Sequence, residues 1–362
     1  EDEGAIRFRV PDKDITVHDR VCGYVTTNLK EKGSRRFDPE TKQEVEANPD
    51  LVIKRPNGGY IFHFVNVVDD IEMGITHVIR GEEWLPSAPL HILLYRYLGW
   101  EESRPQFAHL PLLLKPDGNG KLSKRDGQKL GIPVFPLAWE GATPEDSFTG
   151  FRAEGFDPKA VINFLVFLGW NPGTEQEIFS MEELTQAFSL DKIGKSGARF
   201  DYEKATWFNQ QYLHHAADED LLPHFRKAVD AAGYEATDGY LLQIISLLKE
   251  RISFYKDLLP AANYFFAPVE AIEEKVIRKK WKSENRNRFE ELQANLSGLT
   301  DWNAEGIKAV VLAFMEKYEM GFGAVLPIIR VAMSGSTKGP DAFAMMEVLG
   351  QDRVVSRLAS AY

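Results

Sequence analysis

Hydrophobic and polar residues alternate with a period of two near the start of the chain, as in AIRFRV at Ala5–Val10, and this stretch ends at a PNGG turn at Pro56–Gly59. Successive side chains of a strand point to opposite faces, so residues 1–58 are expected to be β-rich. The run Phe64–Val68 is apolar enough for a buried parallel strand, Thr76–Ile79 reads as a second short strand, and Pro86–Leu98 has helical spacing. From Pro158 onward helical spacing dominates, through PKAVINFLVFLGW, MEELTQAF, YEKATWFNQQYLHH, DEDLLPHFRKAVDAA and DGYLLQIISLLKERISFYKDLLPAANYFF. Breaks are marked by Gly and Pro near Asn171–Gly173, Gly233–Gly239 and Gly335–Pro340. An α/β section over residues 59–130 followed by an all-α section is what these patterns predict.

Polar residues gather where the expected strands end: Asp69, Asp70, Arg80, Glu82 and Glu83. Ligands of open α/β sheets bind beyond the carboxyl ends of the strands. Neighbours on a strand face opposite ways, so Asp69 and Asp70 are expected to cap and fix a loop, not to act as a pair. The tandem His214–His215 has no third ligand spaced nearby and reads as a solvated helix end. Further on, Asp117–Gly127 reads DGNGKLSKRDG. Glycines let the backbone swing towards a ligand, and Lys121 and Lys124 can follow charge that builds up on departing phosphate oxygens. Alone, such a segment is more often a solvated basic turn; its neighbours give it weight.

Those neighbours are HVIRGEEWLPS from His77 and FAHLPLLL from Phe107, followed by GKLSKRDG from Gly120. In that order and spacing they resemble the second half of the catalytic domain of the bacterial glutamyl-tRNA synthetases, which are class I enzymes, with KLSKR as the signature loop. The likeness continues through KAVINFLVFLGWNPG, KSGARFDYEKATWFNQQYL and LPIIRVAMSGSTKGPDAFAMMEVLGQDRVVSRL. It implies a multi-domain α/β plus all-α protein. Residues 1–58 would be part of a β-rich connective or acceptor-binding insertion, and 59–130 the C-terminal half of a class I Rossmann-like catalytic domain. A stem-contact domain at 131–215 and an α-helical anticodon-binding domain at 216–362 would follow.

The implied reaction joins L-glutamate and ATP into glutamyl-adenylate, then transfers the glutamyl group to the 3′ end of tRNA-Glu. The resemblance puts Lys124 and Lys121 on the ATP phosphates as the catalytic pair, with Ser123 and Arg125 fixing the loop. Glu83 and Trp84 correspond to positions that approach ATP. The glutamate pocket falls on Phe62, His63, Phe64, Val65, Asn66 and Arg80, the guanidinium being shaped to take a carboxylate by two parallel hydrogen bonds. For Arg80 the alternative is a structural ion pair with Glu82 or Asp69. Phe62 stands where bacterial relatives usually carry tyrosine, so a hydroxyl that orients the substrate is missing. Arg330 is implied as an anticodon reader, with Pro340 in the matching loop and Arg251 on the same surface. Magnesium is expected with ATP, held through phosphate oxygens and water, and no metal ligand or zinc site is named.

The family also opens with a HIGH-like motif at a helix N-terminus. None of the eight histidines stands in an HxGH arrangement, and PLHILLY at Pro89–Tyr95 reads as a packing helix. The chain begins with Glu1, and it is expected to be a fragment without the HIGH-containing part, inactive by itself. A tRNA-binding module without catalysis and a glutamine- or queuosine-type synthetase paralogue are the rival readings.

Composition narrows the setting. Cys22 is the only cysteine, which rules out an intrachain disulfide and a cysteine-based zinc cluster and points to a reducing compartment. No run is long and apolar enough for a membrane span, and a cytoplasmic monomer is expected. The net charge of −11 argues against general affinity for polyanions, yet KVIRKKWKSENRNR at Lys275–Arg288 is strongly basic and suits a tRNA partner.

Overall fold

The computed structural model describes residues 4–37, 42–269 and 285–360. The basic tract at 275–288 lies outside them up to Glu284. The chain divides into two compact units, Glu1–Ile132 with Ile162–Tyr202, and Pro133–Val161 with Glu203–Tyr362.

In the first unit, β1 (Ile6–Phe8) would be an isolated ribbon without its antiparallel partner β6 (Leu51–Lys54), and β4 (Arg35–Phe37) pairs likewise with β5 (Glu44–Glu46). The central sheet has the order β3-β2-β8-β7, from β2 (Asp14–Asp19), β3 (Gly23–Asn28), β7 (His77–Gly81) and β8 (Gln106–Leu110). Two of these strands precede residue 58 and two follow it, so residues on both sides of that position share one sheet. In β2 the alternation is strict: Ile15, Val17 and Asp19 are buried while Asp14, Thr16 and His18 are exposed. β2 meets β8 in parallel at Asp19 opposite Phe107, and β7 runs parallel to β8 with Arg80 opposite His109.

The run Phe64–Val68 is not a strand. It lies in helix α2 (Phe62–Glu72), which follows the short helix α1 (Leu29–Gly33). A short, mostly apolar run fits a buried strand and a helix equally well by periodicity. Burial decides it: Phe64, Val67 and Ile71 pack on the core, a spacing of three and four that only a helix puts on one face. Asp69 and Asp70 therefore sit on a helix and not at a strand end. The helical pattern at Pro86–Leu98 splits into a 3-10 turn, Glu82–Ser87, and helix α3 (Ala88–Tyr97), buried from Ala88 to Tyr95. Val17, Val67, Leu93, Tyr95 and Phe107 join in one core. Beyond β8 come β9 (Leu113–Leu114), which pairs in parallel with β10 (Ala198–Arg199), and helix α4 (Lys124–Leu130).

The second unit is mainly helical. Helix Asp218–Ala231 packs on Asp238–Leu248, and Arg286–Ser297 packs on Ala304–Lys317 and Gln351–Ser360. Phe225, Phe265, Phe289, Phe314 and Met333 fill a shared apolar core. Burial of that many large side chains, at about 1.5–3 kcal/mol each, is the main force holding these helices together.

Candidate active site

Arg80 leaves β7 near its carboxyl end with its guanidinium half-buried between the rings of Trp84 and Phe107, each 5.9 Å from its carbon. Its Nε donates to His109 Nε2 at 3.2 Å, and its Nη2 lies 3.2 Å from His91 Nδ1. His91 Nε2 is 3.0 Å from His63 Nδ1. On the other side, His109 Nδ1 is 2.6 Å from Asp19 Oδ2. A chain of hydrogen bonds thus runs Asp19–His109–Arg80–His91–His63. Neither Glu82 nor Asp69 is bonded to Arg80, and no carboxylate forms an ion pair with it among the described residues.

Burial pushes the Asp19 carboxyl up, but the His109 ring and the backbone N–H groups of Cys22, His109 and Val21 outweigh this and hold it at about 2. Burial, followed by the charge of Arg80, lowers His91 to about 3, and the same two causes lower His63. Asp70 accepts from the Tyr95 hydroxyl at 3.0 Å and from Asn66 Nδ2 at 3.3 Å, and burial raises it. Asn66 Oδ1 is buried with no hydrogen-bond partner in the protein.

Helical spacing sorts the five residues of α2 among the six expected to form a pocket. Phe62 packs against Trp84 with centroids 5.2 Å apart, His63 faces His91, and Asn66 reaches Asp70. Phe64 turns instead to the core and stacks on Tyr60, while Val65 is exposed. His91 and His109 were not singled out from the sequence. The signal for His91 was a polar side chain within the apolar run Ala88–Leu94, and in the fold it is buried there.

The segment DGNGKLSKRDG is not one open loop. Lys115 N donates to Gly120 O, and Leu122 N to Leu113 O, so the chain turns back on β9 through Gly118 and Gly120, both at positive φ. Ser123 then caps α4: its hydroxyl accepts from Asp126 N, and Asp126 accepts from Ser123 N, a reciprocal capping box. Hydrogen bonds from Ser123 and Lys115 hold Asp126 at about 2. Lys124 and Arg125 are thus the first residues of a helix. Lys121 donates to Glu83 Oε1 at 2.8 Å, which lowers the Glu83 carboxyl.

In the second unit Arg330, on helix Phe322–Ser334, donates from Nη1 to the carbonyl of Pro340, so the two residues expected together are together. Arg251 ends the 3-10 turn Lys249–Arg251. Burial pushes the Tyr264 phenol up to about 12 against the charges of Arg251, Arg330 and Arg357, and its buried hydroxyl has no partner in the protein.

Residues 1–207 match the family model for tRNA synthetases class I (E and Q), catalytic domain, and residues 213–362 match the anticodon binding domain. The chain belongs to the class I tRNA synthetases of the E and Q group. That family consists of aminoacyl-tRNA ligases. Among this synthetase's relatives, the glutamate–tRNA ligase of Cytophaga hutchinsonii is 43% identical over 362 residues, 99% of this chain and 67% of the relative. One from Porphyromonas gingivalis is 46% identical over 357 residues, 98% of this chain and 68% of its own. The crystal structure of a glutamate tRNA ligase from Elizabethkingia meningosepticum in complex with its amino acid superposes with a TM-score of 0.87 at 42% identity, covering 99% of this chain and 68% of that one. The synthetase chain spans about two thirds of the length of these relatives.

Proposed function

We propose that the protein carrying this chain activates L-glutamate with ATP and transfers the glutamyl group to the 3′ end of tRNA-Glu. One observation carries the glutamate reading: the Arg80 guanidinium has no carboxylate partner among the described residues, and Asn66 Oδ1 on α2 is a buried acceptor with no donor in the protein. An amino acid brings what both lack, a carboxylate for Arg80 and N–H groups for Asn66. Phe62, with Trp84 against it, walls the pocket, and His63 offers a polar edge. Phe64 and Val65 contribute through the helix that carries them.

Both chemical steps move negative charge, so the residues act chiefly by placing positive charge where it develops. Lys124 and Lys121 take the ATP phosphates, Ser123 fixes the turn that presents them, and Glu83 and Trp84 take the adenosine side. Glu83 must then release Lys121 when ATP arrives. The cationic side chains fit a polyphosphate, and magnesium would bridge its oxygens, supplying further positive charge. Residues 131–215 serve the acceptor stem, and 216–362 read the anticodon through Arg330, Arg251 and the Pro340 loop. The setting is a cytoplasmic monomer.

Glutamate-dependent ATP–pyrophosphate exchange and aminoacylation of purified tRNA-Glu and tRNA-Gln by the full-length protein test this. Charging of neither tRNA with glutamate would overturn it.

A further inference from the structure

Arginine has five N–H donors and no acceptor. Each ring nitrogen facing Arg80 must therefore offer a lone pair: Nε2 of His109 and Nδ1 of His91. An imidazole with one nitrogen accepting is neutral and carries its proton on the other. His109 then donates from Nδ1 to Asp19, and His91 donates from Nε2 to His63 Nδ1. The donor-only guanidinium fixes the tautomer of all three rings, and Asp19 agrees with it. His63 is left with its proton on Nε2.

We infer that His91 and His109 are positioning residues for Arg80, aiming it through neutral acceptors so that its guanidinium stays free of a bonded carboxylate and open to an anionic substrate. The inference rests on the assignment of Arg80 to the substrate carboxylate. Arginines at this depth are ordinarily paired with carboxylates. A carboxylate partner would aim the guanidinium equally well, but it would neutralise it and compete with the substrate for the same donors. Imidazoles supply direction without charge. Two of the five donors are used, and those remaining, both on Nη1 and one on Nη2, belong to the two nitrogens of the end-on fork that grips a carboxylate. The nearby carboxylates are kept away from Arg80 by other partners: Asp70 is held by Tyr95 and Asn66, and Asp19 by His109 and backbone N–H groups.

Substitution of His91 separates aim from charge. Asn places an oxygen near the position of Nδ1, Asp places a charged one there, and Leu removes the acceptor. In pyrophosphate exchange by the full-length protein, His91→Leu and His91→Asp should each raise KM for glutamate about tenfold or more, the scale of one charge-assisted hydrogen bond. His91→Asn should stay within a few-fold of the parent, and KM for ATP should move little in all three. His109→Gln, which keeps an acceptor near Nε2, is the second rescue. Equal KM for glutamate in the Asn and Asp variants, or parallel rises in both KM values, would overturn the inference. Nitrogen-15 NMR of the unliganded protein supplies a readout that does not need activity: His109 should be unprotonated at Nε2 and His91 at Nδ1. The opposite tautomer in either ring would also overturn it. If the parent protein shows these tautomers yet no glutamate-dependent exchange, the assignment of glutamate fails and the geometry stands.

Discussion

Lys121 and Glu83 form an ion pair at 2.8 Å that ties the first lysine of the KLSKR segment to the turn after β7. Their side chains are 52% and 41% exposed, and pairs so open to water contribute only about 0–1 kcal/mol. The pair holds a position more than it holds the fold.

Glu83→Ala should accordingly change stability by less than about 1 kcal/mol in urea unfolding, while raising KM for ATP several-fold through loss of the adenosine acceptor. A large loss of stability with KM for ATP unaltered would make Glu83 a structural residue.

Lys124 opens helix α4 directly after its cap. Lys124→Ala in the full-length protein should slow activation by about two orders of magnitude or more, with a smaller change in ground-state ATP binding, as expected when a transition-state charge partner is removed. Stopped-flow or exchange kinetics set against equilibrium ATP binding distinguish this from a uniform binding role, which would weaken both alike.

Asp19 gives a pH signature. Its carboxyl sits at about 2 against an ordinary value near 3.8, so the folded state favours the charged form. The stability it contributes, about 2 kcal/mol by linkage, is complete above about pH 4 and is lost as pH falls towards 2. Asp19→Asn should be less stable at neutral pH and should lack that part of the acid slope in urea midpoints. Identical slopes for variant and parent would show that Asp19 does not carry it.

Arg330→Ala should cost about 1–3 kcal/mol in binding tRNA-Glu and much less for a tRNA with an altered anticodon, as for a reader of base edges. Filter binding at fixed salt reads the difference. Equal losses for both tRNAs would mark a phosphate contact, or an effect through the Pro340 carbonyl that Arg330 holds.

The sequence made the order of motifs plain because each carries residues of unusual type: Arg80 beside GEEW, and the lysines of KLSKR. It did not disclose the helix at Phe62–Glu72, because a short, mostly apolar run such as Phe64–Val68 is too brief to show its period until its burial is known. The resemblance implied Phe64 for the pocket, whereas the helix turns it to the core. Nor could it show that β2, far ahead in the chain, brings Asp19 to His109, since parallel pairing across such a distance leaves no local pattern. His91 lay inside a segment correctly expected to pack; that a packed helix also turns one ring to a cation is a tertiary fact.

Asp19 and His109 lie 90 residues apart in sequence. During synthesis β2 emerges long before the strand that will cover its far edge, and non-local pairings of this kind close slowly because chain entropy must be overcome first. Until β8 arrives, the hairpin of β2 and β3 presents an unpaired strand edge, the usual template for association with other chains. Charge at both ends of β2, from Asp14 and Asp19, blunts that edge. The aspartate that finally orients a histidine in the pocket would thus first serve the nascent chain as a guard against aggregation.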